Sequence, residues 1–356
     1  MTGGSAGCCE MNVYRQPPPP CATISRTTRS PDISMTTIPC KRSAFGPAWG
    51  RSFNGSHPLS APWPTLVWAA ITVGKPGFPF LTNHGWHSVS DIIVRSHMVY
   101  ANLREGTGRY YKSSYYESLD PTEKGFVSYF LGMMAAKIVA ADVLNVPWLF
   151  HLSMLQSLGG TATLIGRSAP DLIGLNRRME WAVVEAKGRT NRHSPDAATA
   201  AKLQTRQLRK INGHFPFVRV AVQAFFSPEL EFSVDDPDDY DDDAPDFQGN
   251  IDLAFERYYA YTVRAIHSNP KQMSIAGDEF RFGVIEELGI SVGLPTKVLT
   301  MLENRQFTSV ARYLSERRFA EGSGVLPDGI AILLDNRWAT EQMRLDLPSR
   351  DRSGTT

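Results

Sequence analysis

The sequence has 356 residues, of which 42% are hydrophobic and 21% charged, with a formal net charge of +1. This composition is typical of an ordinary soluble globular protein, and the overall charge selects no class of partner. The distribution of charge is uneven: residues 167–219 carry eleven Lys and Arg against four acids, and residues 229–256 carry twelve acids and no Lys or Arg. Such asymmetry predicts either a surface facing a polyanion beside a solvated acidic loop, or a solvated surface of mixed patches.

The cysteines and the most apolar segment both favour a cytoplasmic protein without a membrane span. All four cysteines lie at or before Cys40 and none forms a CxxC pair, which argues against a zinc site and against dependence on disulfides. The N-terminus shows no secretory signal. The most apolar window, residues 125–144, is interrupted by Lys137 and Asp142, so we predict a buried helix there.

The first third of the chain leads to a strongly marked helix. Residues 1–62 are rich in Pro, Ser, Thr and Gly and predict a disordered arm. Residues 63–118 predict a mixed, mainly helical segment with one helix near Ser88–Leu103. Asp120, followed by Pro121 and Glu123, then predicts a capping box that begins a helix. Apolar residues continue at helical spacing in this helix: Phe126, Phe130, Met133, Met134 and Ile138.

Three strands, a second helix and a further strand follow. The segments VPWLFHLSML, ATLIGRSAPDLIGL and MEWAVVEAKG predict strands, with NRR as the turn between the last two. The helix is predicted over Asp196–Ile211 and the strand in FVRVAVQAFFS. Together these elements make a core over residues 119–228.

The remaining chain predicts an acidic linker and a mainly helical C-terminal region. Residues 229–249 include VDDPDDYDDDAPD, whose spacing does not match a calcium-binding loop, so a solvated linker is expected. Residues 250–340 predict mainly helices with a late strand in GVLPDGIAILLDNRW, and residues 341–356 a frayed tail. The aromatic run FERYYAYTV could stack on bases, although core packing explains its helical spacing more simply.

The hairpin predicted around Arg178 brings chemically active residues together. Its register places Asp171 opposite Glu185, and Lys187 lies two residues further along on the same face as Glu185. Two carboxylates this close repel unless a cation lies between them. Carboxylate oxygens are ligands for a hard divalent ion such as Mg²⁺, and a neighbouring lysine can orient water or stabilise charge on a phosphate. The constellation therefore suits phosphodiester hydrolysis.

The motif Pro170-Asp171 followed by Glu185-Ala186-Lys187 resembles that of the PD-(D/E)xK nuclease superfamily. The resemblance covers about residues 119–228, which is under a third of the chain. The resemblance implies an α/β fold whose restriction-endonuclease-like core is a helix, a three-stranded meander, a helix and a strand, with mainly helical N- and C-terminal additions. It also implies that Asp171 and Glu185 bind Mg²⁺, or Mn²⁺ as a substitute, with the Ala186 carbonyl, and that Lys187 serves the attacking water. Members often add an acid from the first helix, for which Glu123 is the candidate.

The expected function is metal-dependent hydrolysis of nucleic acid, with DNA preferred, in a restriction, defence or repair role. Basic residues after the motif are predicted to contact phosphates, although a solvated helix face would look the same: Arg189, Arg192, Lys202, Arg206, Arg209 and Lys210. One alternative is a catalytically silent protein of the same fold that binds nucleic acid or a protein partner. Another is a structural protein in which Glu185 and Lys187 form a surface ion pair, Asp171 is a turn residue and Glu123 only caps its helix. The sequence is also compatible with a homo-oligomer of this chain.

Overall fold

A seven-stranded mixed sheet forms the centre of the protein, in a computed structural model that describes residues 36–73, 86–157, 169–236, 244–320 and 322–338. Its strands are β1 (Thr37–Ser43), β2 (Gly55–Ser60), β5 (Trp148–His151), β6 (Leu172–Leu175), β7 (Trp181–Gly188), β9 (Val218–Phe226) and β10 (Leu230–Asp235). They lie in the order β2-β1-β10-β9-β7-β6-β5. The pairs β7–β9 and β1–β10 are parallel and the other neighbours are antiparallel.

The described helices are α1 (Trp63–Thr72), α2 (Trp86–Asn102), α3 (Ser114–Ser118), α4 (Pro121–Asp142), α5 (Leu152–Ser157), α6 (Pro195–Arg206), α7 (Ile251–Ser268), α8 (Thr296–Glu303) and α9 (Phe307–Ser315). Small sheets pair β3 (Leu103–Gly106) with β4 (Arg109–Lys112), and β8 (Lys210–Ile211) with β11 (Asp246–Phe247). A four-stranded antiparallel sheet contains β12 (Pro270–Ile275), β13 (Asp278–Ile285), β14 (Ile290–Pro295) and β15 (Ala331–Leu334). The fold is therefore mixed α/β.

Helix α4 begins as the sequence predicts. The Asp120 carboxylate accepts hydrogen bonds from the backbone N–H groups of Thr122 and Glu123, and the Glu123 carboxylate accepts one from the Asp120 N–H, which confirms the capping box. By length and composition this helix could cross a membrane, but 78% of its most apolar window is buried inside the fold. It therefore has the burial of a core helix, as predicted.

Helices α4 and α6 cover opposite faces of the central sheet at β7. Gly188 lies so close to α4 that a Cβ atom there would be 1.6 Å from the Ser128 carbonyl oxygen. The adjacent Lys187 side chain instead contacts α6 through Gln204. Because successive side chains of a strand point to opposite faces, the two helices sandwich this strand. The strand end is thus held from both sides.

The meander β5–β6–β7 and its register agree with the sequence prediction, with some differences in extent. Leu172 pairs with Val184 and Ile173 with Val183. Continued by one residue, this register places Asp171 opposite Glu185. The first predicted strand is shorter, because VPWLFHLSML divides into β5 and α5. Residues 158–168 of the second predicted strand lie outside the described residues. Helix α6 ends at Arg206 rather than Ile211, since the chain turns there into β8.

Several predictions for the flanking regions are wrong. Within the predicted disordered arm, β1 and β2 extend the central sheet, and Ile38 and Cys40 are buried because β1 covers the edge of β10. The prediction for residues 63–118, in contrast, holds in the described part: α2 lies where the helix near Ser88–Leu103 is predicted, and α1, α3 and the β3–β4 hairpin make the segment mixed and mainly helical. The first part of the predicted acidic linker is β10, in which Leu230, Phe232, Ser233 and Val234 are buried. Residues 250–340 contain the four-stranded sheet and are not mainly helical. Residues 1–35, 237–243 and 339–356 lie outside the described residues.

Candidate functional site

The structure brings Asp171, Glu185 and Lys187 together at the end of the β6–β7 hairpin. The side chain of Glu185 is fully buried. Its Oε2 accepts a hydrogen bond from the Asp171 backbone N–H at 2.8 Å, and its Oε1 accepts one from Lys187 Nζ at 2.5 Å. The Asp171 carboxylate accepts a longer hydrogen bond, 3.4 Å, from the Ala186 N–H. The two acids and the amine form one connected group, as the hairpin register predicts.

The backbone carbonyl of Ala186 points into the same corner. Within a strand, the N–H and C=O of one residue face the same side, and the Ala186 N–H faces Asp171. Continuing the β6–β7 register places Pro170 opposite Ala186 at a position where the two residues would exchange hydrogen bonds. Proline has no N–H to donate. The Ala186 carbonyl is therefore left without that ladder bond and is suitably placed to join the carboxylates as an oxygen ligand.

Helix α6 holds the amine of the group in place. Lys187 Nζ donates to Gln204 Oε1 at 2.6 Å, in addition to its bond with Glu185. Gln204 is not among the site residues predicted from the sequence. Its position contains a usable signal, because it lies three residues after Ala201 and seven after Ala197, both of which are buried on the helix face toward the sheet. A polar side chain on that face needs a partner inside the fold.

Gln223 on β9 fixes the loop between β7 and α6. It pairs with Lys187 across the parallel strands and is buried. Its side-chain oxygen accepts from the Ser194 N–H at 2.7 Å, and its side-chain nitrogen donates to the Ser194 carbonyl at 3.1 Å. Ser194 in turn caps α6 by accepting from the Ala197 N–H. This second missed residue therefore ties the helix carrying Gln204 to the strands of the site.

Burial and like charge together shift the protonation of the site. The pKa of Glu185 is raised from 4.5 to about 7, first by burial and then by the negative charge of Asp171, while Lys187 opposes the rise. Two further titratable groups flank Asp171. Burial and then the Asp171 charge raise the pKa of Tyr129 on α4, whereas burial lowers the pKa of His151 at the end of β5 against the opposing effect of Asp171.

The described residues contain no group of three or more His, Cys, Asp and Glu side chains that could hold a metal ion. The structure does not bring Glu123 to the site, since its carboxylate accepts from the Asp120 N–H at 3.1 Å in the exposed first turn of α4. The available donors are the Asp171 and Glu185 carboxylates and the Ala186 carbonyl. This set fits a hard divalent ion that completes its coordination with water.

The predicted phosphate-contacting residues divide into separate places. Lys202 forms an ion pair with Asp235 at 3.7 Å, and Arg206 is half-buried at the end of α6. Arg209 pairs with Asp246 at 3.0 Å and Lys210 lies over the Phe215 ring. Arg219, which bonds to the Arg209 carbonyl, pairs with Val183 two residues before Glu185, so Arg209 and Lys210 lie on a part of the sheet about 7 Å down the strands from Glu185. The structure does not bring Arg209 and Lys210 to the carboxylates.

Arg189 and Arg192 remain at the site end of the sheet, and both are exposed. They follow β7 directly, where Arg189 N–H bonds to the Ala224 carbonyl of β9. Arg192 lines an open groove of about 750 Å³ with Asn191, Phe226, Ser227 and Pro228. This groove lies at the carboxyl ends of the parallel strands β7 and β9, which is where α/β sheets commonly bind ligands.

Comparison with known proteins places this chain in no established group: no family model, no curated protein and no solved structure matches it. The structure defines a mixed α/β protein with a large mixed sheet and, at the end of one hairpin, an acid–amine group whose Glu185 is buried.

Proposed function

We propose that this chain is a metal-dependent nuclease of the PD-(D/E)xK type. The observation that carries the proposal is the convergence of Asp171, Glu185 and Lys187 at the mouth of the β6–β7 hairpin. An isolated surface ion pair would leave Glu185 solvated, yet its side chain is fully buried beside a second carboxylate. Burying Glu185 beside a second carboxylate is unfavourable, and such arrangements cluster at functional sites.

The order of elements supports the same proposal. Helix α4, the antiparallel meander β5–β6–β7, helix α6 and the strand β9 follow one another along the chain, and β9 lies parallel to β7. This is the order expected of a restriction-endonuclease-like core. β10 then extends the sheet beyond β9.

Each residue has a defined part in the proposed reaction. A bound Mg²⁺ ion, for which Mn²⁺ can substitute, supplies Lewis-acid chemistry that polarises a phosphate and makes water more acidic. Asp171 and Glu185, with the Ala186 carbonyl, provide the oxygen ligands. Lys187, kept in place by Gln204, orients the attacking water and stabilises negative charge on the phosphate. Water adds to phosphorus, the bond to the leaving oxygen breaks, and that oxygen takes up a proton.

Arg189, Arg192 and the groove beside them would bind the phosphate backbone of the substrate. We propose DNA as the substrate, in a cytoplasmic restriction, defence or repair role. A charge-based contact of this kind positions a nucleic acid without reading its sequence.

A cleavage assay on plasmid, linear DNA and RNA with Mg²⁺ tests the proposal. We expect the wild type to cleave, and Asp171→Asn and Lys187→Met to lower the rate by at least about 100-fold, since both remove direct contacts with the reacting groups. Asp278→Asn and Lys297→Met are matched controls, because these residues contact Arg317 and Tyr313 in the C-terminal region. Cleavage that survives both site changes refutes the assignment.

The same assay separates the catalytically silent alternative. A chain that binds DNA in a salt-dependent manner but does not cleave it under any divalent ion would be a binding protein that uses this fold. A chain without cleavage, binding or stabilisation by divalent ions would be a structural protein.

A further inference from the structure

Two aromatic side chains stand exposed on the outer face of α4. Phe126 is 60% exposed and Tyr129 46%, and their spacing of three residues places them on one side of the helix. The apolar spacing of the sequence predicts Phe126 as part of the buried helical pattern, and this prediction is wrong. The buried face of α4 instead begins with Val127 and continues through Phe130 and Leu131. An apolar pair here therefore contributes nothing to the core.

This pair lies next to the candidate site. A Cβ atom on Gly188 would be only 3.0 Å from the Tyr129 backbone nitrogen, and Ser128 Oγ lies 3.1 Å from Thr190 Oγ1. The first turns of α4 therefore run against the segment that joins β7 to Arg189 and Arg192. The charges of Asp171 and Glu185 also reach the Tyr129 hydroxyl. Tyr129 therefore lies near both the carboxylates and the arginine-bearing loop.

We propose that Phe126 and Tyr129 form a stacking platform for unpaired bases, so that the substrate is a single-stranded nucleic acid or the unpaired end of a duplex. This inference rests on the proposed function and names its substrate class. Ring faces of aromatic side chains stack on bases of any sequence, whereas the bases of a duplex have their faces covered by their neighbours. The platform accordingly discriminates single-stranded from duplex nucleic acid and does not recognise the base sequence.

Charge on the surrounding surface sets the direction of the strand. Glu123 lies one turn before Phe126 and Asp120 lies nearly two turns before it, and both would repel a phosphate backbone. Arg189 and Arg192 lie on the other side, where phosphates are attracted. A strand stacked on the rings therefore runs toward the arginine loop and the groove beyond it, which carries its backbone past the carboxylates.

Two other aromatic candidates among the described residues, the FERYYAYTV run and Phe215, do not offer this surface. Phe255 and Tyr259 of FERYYAYTV are buried in the core, so core packing is the correct explanation for that run. Phe215 is 51% exposed, but its ring lies under Lys210, away from the site end of the sheet. Phe215 is thus a matched control with comparable exposure in a different place.

The test measures binding by fluorescence anisotropy with the full chain carrying Asp171→Asn, so that the probes are not cleaved. The probes are a labelled thymidine oligonucleotide and a labelled duplex of the same length. We expect tighter binding of the single strand, and a loss of about 5-fold to 100-fold with Phe126→Ala or Tyr129→Ala. Phe126→Leu, which keeps apolar bulk without a ring, should lose affinity as well, while Phe215→Ala should not. Thermal melting of each variant checks that the fold is retained.

The outcomes distinguish this inference from the proposed function. Cleavage that depends on Asp171, combined with equal binding of both probes and no effect of the ring variants, overturns the platform and leaves the nuclease. Ring-dependent binding of single strands without cleavage supports the platform and overturns the nuclease. If neither probe binds and Phe126→Ala instead abolishes self-association in sedimentation, the rings are a contact between copies of the chain and the inference fails.

Discussion

The raised pKa of Glu185 makes a prediction about stability and metal binding together. In the folded protein its pKa is about 7, against an ordinary value of 4.5, because the carboxyl is buried beside Asp171. A proton on Glu185 therefore stabilises the folded state. This contribution is complete below about pH 4.5 and is lost as the pH rises through about 7. The difference between the two pKa values corresponds to about 3 kcal/mol of folding free energy.

A divalent ion at this site competes with that proton. Ionised carboxylates bind the ion, so the apparent affinity for Mg²⁺ should fall about tenfold for each pH unit below about 7. A Mg²⁺ concentration of about 100 times the Kd stabilises the folded state by about 2.7 kcal/mol at pH 8. At pH 5.5 the affinity would be about 30-fold weaker, and the same concentration would stabilise by roughly 1 kcal/mol.

Thermal melting across a pH series, with Mg²⁺ or EDTA, measures this linkage. We expect the metal-induced rise in Tm to be large at pH 8 and to decrease steadily toward pH 5.5. Asp171→Asn should abolish the rise, because it removes one ligand. It should also flatten the metal-free pH dependence, because it removes a charge that raises the Glu185 pKa. Asp278→Asn should behave as the wild type does.

A metal-induced rise in Tm that is the same at pH 5.5 and pH 8, or that survives Asp171→Asn, would refute binding of the ion by Asp171 and Glu185. Either result would place the ion elsewhere on the protein. A metal-free stability that does not decrease between pH 5 and pH 8 would separately show that the Glu185 carboxyl is not buried as a near-neutral acid.

Two further predictions concern helix α4. Gly188→Ala should destabilise the protein by about 1–3 kcal/mol and lower cleavage, because the new methyl group collides with the Ser128 carbonyl and displaces the end of β7. Gly125→Ala is the control, because a Cβ atom at Gly125 would have no neighbour within 4 Å. In thermal melts this control should be neutral or slightly stabilising. Glu123→Ala should lower the Tm by about 1–3 °C through loss of one capping bond and leave Mg²⁺-dependent cleavage unchanged; a large loss of cleavage would instead assign Glu123 to the metal.

The sequence predicts the hairpin well because its determinants are local. The turn lies within a few residues of the pairs it aligns, so the β6–β7 register follows from counting outward from Arg178. The start of α4 is local too, since Asp120 and Glu123 are one turn apart. Where the physical cause lies within about ten residues, pattern and structure agree.

The failures have long-range causes. β1 is short and its composition resembles that of the arm before it, yet it pairs with β10 nearly two hundred residues later in the chain. The contact of Gln204 with Lys187 requires α6 to cross the strand end, and Gln223 reaches Ser194 only once β9 lies beside β7. Apart from the helical spacing of Gln204 with Ala197 and Ala201, no local pattern marks these residues. Phe126 was assigned to the core because helical spacing alone does not show where the buried face begins.

The contacts of Lys187 connect the stability of the site with its proposed chemistry. Without a divalent ion, its ammonium group neutralises much of the charge on Glu185 at 2.5 Å, which makes a buried carboxylate tolerable. An ion held by Glu185 and Asp171 would take over that neutralising role and repel the ammonium group. Lys187 would not be free to leave, because Gln204 accepts from the same nitrogen at 2.6 Å. The lysine would therefore shift from serving as counter-ion to Glu185 toward the water and phosphate, which links metal binding to its catalytic role.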